Sequence, residues 1–467
     1  MKNVLNSRFR GEAATRASIT MADQCVASVS NFAVGIVVAR ICGAAGLGAF
    51  ALAYTCWILL TTIHRSLITD PMAILGDMRQ DERDEFLRRG FAAEVVLGVM
   101  AACIFAAVGS AFLVIGQETF GVGMLSVAPW IVLLDLQDYW RWIGFMQGKP
   151  RKSLNNDLLF NAVQALAFGA VFLWGQHSVF AVVSAWGLGA AVATLYGLRQ
   201  FSVRPSLRGG TAFLWSRLPT SRWLAGERAA SWGANQLYLI LAGAMLGPAA
   251  LGGLKAAQGL VSGPAFVVIN AGGSFGLPEA SRQLAERGWT GMARVSRFVT
   301  GAGVLAAAAC GAAVLVAAPF LLRLLYGPSF VAYAPSARVF AVAMIIGAFG
   351  VGPVLTLTTT RRMRPLFLVQ LGRVAISVGS VAVLCNIGGV TGAAIAYFLT
   401  TALTLVAVLV LQSWARRSHE EMHSQPAILQ PLETLRRRVR RNVMLVLALA
   451  PVRTSSSWAH PGESSKH

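Results

Sequence analysis

The residues most able to do chemistry are ionisable groups inside long apolar runs. Asp135, Asp138 and Arg141 follow at three-residue intervals in LLDLQDYWRW (133–142). On a helix Asp138 and Arg141 read as an intrahelical pair. Asp135 has no cation one turn away on either side. It therefore faces a wet cavity or a neighbouring helix, and ion coupling or substrate contact is the chemistry expected of it. Lys255 and Gln258 lie three apart in GGLKAAQGL (252–260), giving a polar stripe that faces a cavity or a lysine that reaches the membrane surface. Arg40, Arg65, Asp70 and Arg373 add charge near the ends of other apolar runs, while Arg323 and Arg338 read as interface anchors. Asn31 and Asn235 supply polar donors for substrate or for a neighbouring helix. Cations outnumber anions in this set, and a cationic cavity suits an anionic ligand.

These residues must be positioned by membrane helices. Of the 467 residues 55% are hydrophobic and only 13% charged, with a mean hydropathy of +0.60; soluble domains carry about 25% charged residues. The net charge of +20 lies mostly outside the apolar runs, so nucleic acid is not the expected partner. Six isolated cysteines with no CxxC spacing point away from disulfides and zinc. No GxxxxGK[ST], HExxH or GxSxG motif occurs, so the expectation is a protein that is not an enzyme and has no resident cofactor. A proton or Na+ gradient, or the membrane potential, is left as the energy source. The basic N-terminus shows no clear cleavage site and reads as no removable signal peptide.

A bilayer-spanning helix needs about 20 apolar residues. Twelve such runs are expected, at 20–41, 46–68, 90–115, 122–145, 157–175, 178–199, 229–247, 250–277, 296–320, 335–358, 366–386 and 388–412. Odd-numbered connections are short and Gly-rich, and even-numbered ones carry arginines and lysines. The positive-inside rule then places the even loops and both termini in the cytoplasm. The expected organisation is an all-α integral membrane protein with a cytoplasmic segment (1–19), a six-helix bundle (20–199), an interfacial linker (200–228), a second six-helix bundle (229–412) and a basic tail (413–467). The bundles read as pseudo-symmetric, because 30–53 lies over 234–257 with Asn31 on Asn235, Gly43 on Gly247, Leu47 on Leu251 and Gly48 on Gly252. Such repeats are a transporter architecture. Within the tail, LRRRVRRNVMLVLALA (435–450) reads either as a helix on anionic lipid or as a disordered basic segment.

Three stretches, SNFAVGIVVARICGAAGLGAFALA (30–53), LGPAALGGLKAAQGLVSGPAFVVINAGGSFGLPEASR (246–282) and LLRLLYGPSFVAYAPSARVFAVAMIIGAF (321–349), resemble the multidrug/oligosaccharidyl-lipid/polysaccharide (MOP) exporter superfamily, and within it the Wzx-type polysaccharide-biosynthesis flippases. The resemblance covers residues 20 to about 412. It implies two bundles in alternating access and a cargo of undecaprenyl-pyrophosphate-linked oligosaccharide. That cargo would be flipped to the periplasmic leaflet of a bacterial inner membrane for exopolysaccharide, O-antigen or capsule assembly. It also implies a cationic cavity, with Arg40 and Lys255 nearest to that pattern, and a polysaccharide polymerase among the partners. Helices 13 and 14 of the lipid II branch are missing. Two alternatives are a cation-coupled multidrug antiporter of the same superfamily and a non-transporting scaffold of glycan assembly; the deep charges Asp135 and Lys255 count against the scaffold.

Overall fold

A computed structural model describes the backbone of residues 2–70, 80–201 and 206–424, and their side chains except 2–14, 16–17, 80–81, 220, 263–275 and 420–424. The described residues are almost entirely helical: α1 (Lys2–Leu67), α2 (Gln80–Val114), α3 (Glu118–Val127), α4 (Ile131–Met146), α5 (Pro150–Leu173), α6 (Val179–Phe201), α7 (Gly210–Leu246), α8 (Pro248–Leu325), α9 (Ala334–Ala348), α10 (Val351–Thr359) and α11 (Met363–Ser424). Eight stretches among them are long and apolar enough to cross a membrane, making this a multi-pass membrane protein. The described residues up to Gln412 form one compact unit, and those from Ser413 to Ser424 belong to a second. The 435–450 segment lies outside the described residues.

Three of the eight stretches, 18–67, 276–325 and 363–419, are 50 to 57 residues long, far more than one crossing needs. Helix α1 explains the excess. At Gly43 the backbone takes φ 70° and ψ −169°, a region that glycine alone enters without strain. Asp23 and Arg65 flank that break, yet both reach α4 within three residues of each other, at Arg141 and Asp138. An unbroken helix would hold them about 63 Å apart. The two arms therefore double back on one another, and Gly288 in α8 and Gly389 in α11 break those helices in the same backbone region.

The two stretches matched in the sequence meet where α1 packs on α8, the most extensive helix contact among those described. Gly247 (φ 86°, ψ 175°) reproduces the conformation of Gly43, and Leu47 and Leu251 are both buried. A Cβ on Gly48 would overlap the Pro248 carbonyl, and one on Gly252 would overlap the Ala44 carbonyl. Those two contacts exchange equivalent positions of the sequence match, so the junction is reciprocal. Small residues are what permit backbones to approach this closely.

The segment expected as an interfacial linker is largely helix. Helix α7 begins at Gly210, directly against Ala92 of α2, and Arg217 lies over the rings of Phe86 and Phe213. Arginine stacked on buried aromatics has its apolar stem covered, which anchors one face of this basic helix while Trp215 and Trp223 stay exposed.

Candidate functional site

One face of the second arm of α1 carries Trp57, Thr61, His64 and Arg65, at the i, i+4, i+7 and i+8 spacing that keeps side chains aligned on a helix. It packs toward α4. Asp135 is fully buried there: its Oδ1 accepts the Trp57 indole N–H (2.9 Å) and the Thr61 hydroxyl (3.3 Å). His64 Nδ1 lies 3.3 Å from Asp135 Oδ2 and 3.2 Å from Glu94 Oε1 of α2. The environment of Asp135 is therefore neighbouring helices, not a wet cavity.

Below this cluster runs a second layer. Arg65 grips both carboxylate oxygens of Asp138, with Nε to Oδ2 at 2.6 Å, and stacks 4.9 Å from the Trp142 ring. Arg141 bridges Asp23 of α1 and Asp157 of α5, each at 2.8 Å. Gln137 donates to Asp157 at 2.9 Å, and Asn156 donates to the Ala193 carbonyl of α6. The intrahelical pairing expected of Asp138 and Arg141 is thus overturned. Each finds a partner on another helix, because the bidentate Arg65–Asp138 and two-sided Arg141 arrangements satisfy more donors than a single i, i+3 contact on α4 could. Arg65 likewise does not reach for lipid headgroups. Asp70 instead pairs with Arg228 of α7 at 3.4 Å, in an exposed position.

The remaining candidates scatter. Arg40 is exposed, and its guanidinium donates to the carbonyls of Arg323, Leu324 and Leu325, the last turn of α8. It lines a cavity between the first arm of α1 and α5, where its donors are engaged by those orphan carbonyls. Arg40→Gln is expected to lower stability by about 1 kcal/mol, the net worth of exposed charged hydrogen bonds to a helix end, read as a shift in thermal unfolding in detergent. Arg338 similarly donates to the Leu315 carbonyl. Asn31 is exposed, and Asn235 donates back to the Ser231 carbonyl of its own helix. Among the described residues neither makes the hydrogen bond to a neighbouring helix that was one of the two roles expected of them.

Lys255 and Gln258 are both half-buried on α8. Lys255 Nζ lies 6.0 Å from the Tyr54 ring centroid of α1, and among the described residues it has neither carboxylate nor hydrogen-bond partner. Tyr54 belongs to an aromatic cluster with Phe50, Trp57 and Trp186, so Lys255 faces the α1 arm whose Trp57 and Thr61 bond Asp135 of α4. On α11, Arg373 is half-buried with a buried Nε that finds no partner, as does Gln370 Oε1 nearby in sequence. Charge is accordingly divided: the described buried carboxylates sit in α1–α6, while Lys255 and Arg373, half-buried and without a carboxylate partner among the described residues, sit in α8 and α11.

Asp23, Trp57, His64, Glu94 and Asp157 escaped the sequence reading. His64 and Glu94 lie near the ends of their apolar runs, where a charged residue signals nothing more than the membrane surface. Only the i, i+4, i+7 alignment of Trp57, Thr61 and His64 offered a local clue.

No protein-family model and no curated protein sequence matches the chain. Solved structures do match. An inward-facing multidrug resistance MATE family transporter of the MOP superfamily gives a TM-score of 0.71 at 14% identity, covering 88% of this chain and 99% of that one. The outward-facing form of such a transporter gives 0.61 at 13% identity, covering 87% and 96%. A MOP superfamily transporter from Pyrococcus furiosus, described by the reverse polarity of its binding pocket, gives 0.62 at 14% identity, covering 87% and 96%. The doubled-back helices, the reciprocal glycine junction and these likenesses together establish that the chain has the fold of the MATE transporters of the MOP superfamily.

Proposed function

We propose that this chain is an alternating-access transporter whose twelve spans form two six-helix bundles, with both termini cytoplasmic, in a bacterial inner membrane. Its cargo in this reading is an undecaprenyl-pyrophosphate-linked oligosaccharide, flipped outward for surface polysaccharide assembly, with a polysaccharide polymerase as downstream partner. The observation that carries it is Lys255, a half-buried cation between α1 and α8 with no carboxylate partner among the described residues. A cation in such a place calls for an anion, and a pyrophosphate supplies one. Arg373 adds a second unpaired cation, and Gln258, one turn beyond Lys255, adds a donor for sugar hydroxyls.

The junction of Gly48 with Pro248 and of Gly252 with Ala44 lies at the end that the positive-inside rule makes periplasmic. A sealed outer junction agrees with the higher TM-score against the inward-facing transporter. Outward movement of a pyrophosphate gains about 2.3 kcal/mol per charge per 100 mV of inside-negative potential. Asp135 is the proposed site of ion coupling, Asp138 and Arg141 relay charge beside it, and Arg65 and Asp70 lie at the inner gate.

The buried carboxylates of α1–α6 favour a second reading, a cation-coupled multidrug antiporter. Proteoliposomes separate the two. Lys255→Ala is expected to slow flipping of a short-chain polyprenyl-pyrophosphate glycan by about tenfold, the effect of losing about 1.4 kcal/mol of charge-assisted contact, while Lys255→Arg keeps it. Export of a cationic dye with no glycan movement would replace this reading by the antiporter.

A further inference from the structure

His64, Glu94 and Asp135 offer three ligating atoms within 4.8 Å of one another, contributed by α1, α2 and α4, and all three residues are buried. One nitrogen, His64 Nδ1, faces Glu94 Oε1 at 3.2 Å and Asp135 Oδ2 at 3.3 Å. A single N–H cannot serve both oxygens. It meets hydrogen-bond geometry with Glu94 alone, and Asp135 Oδ2 stays buried with no hydrogen-bond partner. An orphaned carboxylate oxygen in a fully buried residue is costly and marks a missing positive charge.

The charge count agrees. Asp23, Glu94, Asp135, Asp138 and Asp157 are buried, and the described cations among them are Arg65, Arg141 and, if protonated, His64. Fully ionised, the five carboxylates outnumber these by two with His64 protonated and by three with its imidazole neutral, so at least two positive charges are lacking. Arg65 is matched by Asp138, and Arg141 already has Asp23 and Asp157, so neither can neutralise the upper cluster. Spacing then selects the ion. Bonds of about 2.0–2.2 Å in a tetrahedral shell put neighbouring ligands about 3.3–3.6 Å apart, close to the distances around His64 Nδ1. An imidazole nitrogen is a good ligand for transition metals, whereas Na+, Mg2+ and Ca2+ prefer oxygen shells.

We infer that His64, Glu94 and Asp135 form a binding site for one divalent first-row transition-metal ion of the Zn2+ type, tying α1, α2 and α4 together. A neutral imidazole and two carboxylates carry the charge of −2 that such an ion balances. The site deepens the reading of Asp135 as the coupling position by naming the cation, but binding itself does not depend on what is transported.

The test uses the full chain, purified in detergent without a polyhistidine tag and stripped of metal with a chelator, then titrated with Co2+ and with Zn2+. One Co2+ per chain with a tetrahedral absorption band, displaced by Zn2+, is the expected result. His64→Ala and Glu94→Gln should each weaken binding more than about 100-fold, since even outer-shell partners are worth 10–100-fold. His64→Cys should retain the ion and add a thiolate-to-cobalt band, which keeps the test decisive where the alanine variant fails to fold. A stripped wild-type chain that takes up only protons or Na+, or variants that bind Co2+ as wild type does, would overturn the assignment. Because the readout is binding, either result leaves the transport assay to be judged separately.

Discussion

Arg141→Ala is expected to destabilise the protein by about 3–5 kcal/mol, the cost of removing one partner from a buried ion pair and leaving its counter-charges uncompensated. Two carboxylates, Asp23 and Asp157, lose their guanidinium together, and both are almost inaccessible to solvent. The consequence is measured as thermal unfolding of the detergent-purified protein, and in cells as loss of folded product. The triple variant Arg141→Met with Asp23→Asn and Asp157→Asn should recover most of the loss, because neutral groups of similar size need no counter-charge. Arg282→Ala offers the contrast. Its partner Glu279 is exposed, and removal should leave thermal unfolding almost unchanged. If the two single variants unfold alike, the charge layer beneath Asp135 is not what holds α1, α4 and α5 together.

The second large effect is steric. Gly252→Val places side-chain atoms where the Ala44 carbonyl of α1 already lies, and the obstacle is backbone that cannot rotate away. Overpacking ordinarily costs about 1–3 kcal/mol when side chains can adjust, and here the junction must open instead. Spin labels at positions 45 and 250 in a cysteine-free background should report a longer distance in Gly252→Val, with the short-distance population of the wild type lost. Gly48→Val should act the same way, since it meets the Pro248 carbonyl from the reciprocal side. An unchanged distance distribution in both variants would mean that the junction does not hold α1 against α8.

Hydropathy and glycine placement carried a large part of the architecture. The apolar runs gave an all-helical multi-pass protein because lipid leaves backbone groups no partners except their own helix. The pairing of Gly43 with Gly247 could be read in advance because a sharp break requires a residue without a Cβ at the same point of each repeat. The depth of Asp135 was equally local information, a carboxylate midway along an apolar run.

Its partners were not local. Asp138 bonds across 73 residues to Arg65, and Arg141 across 118 to Asp23. A sequence lists the neighbours of Arg141 along one helix, and the packing of α1 and α5 against α4 decided which carboxylates it meets. Arg40 makes the same point in reverse: its charge and position promised a cavity cation, but the end of α8 comes to rest beside it with unpaired carbonyls. Sequence alone determined that the chain is all-helical and multi-pass, because burial in lipid acts on each apolar segment separately. Tertiary structure alone decided which charges neutralise one another, because in a low-dielectric interior the winning partner is whichever group the packing of separate helices brings within about 3 Å.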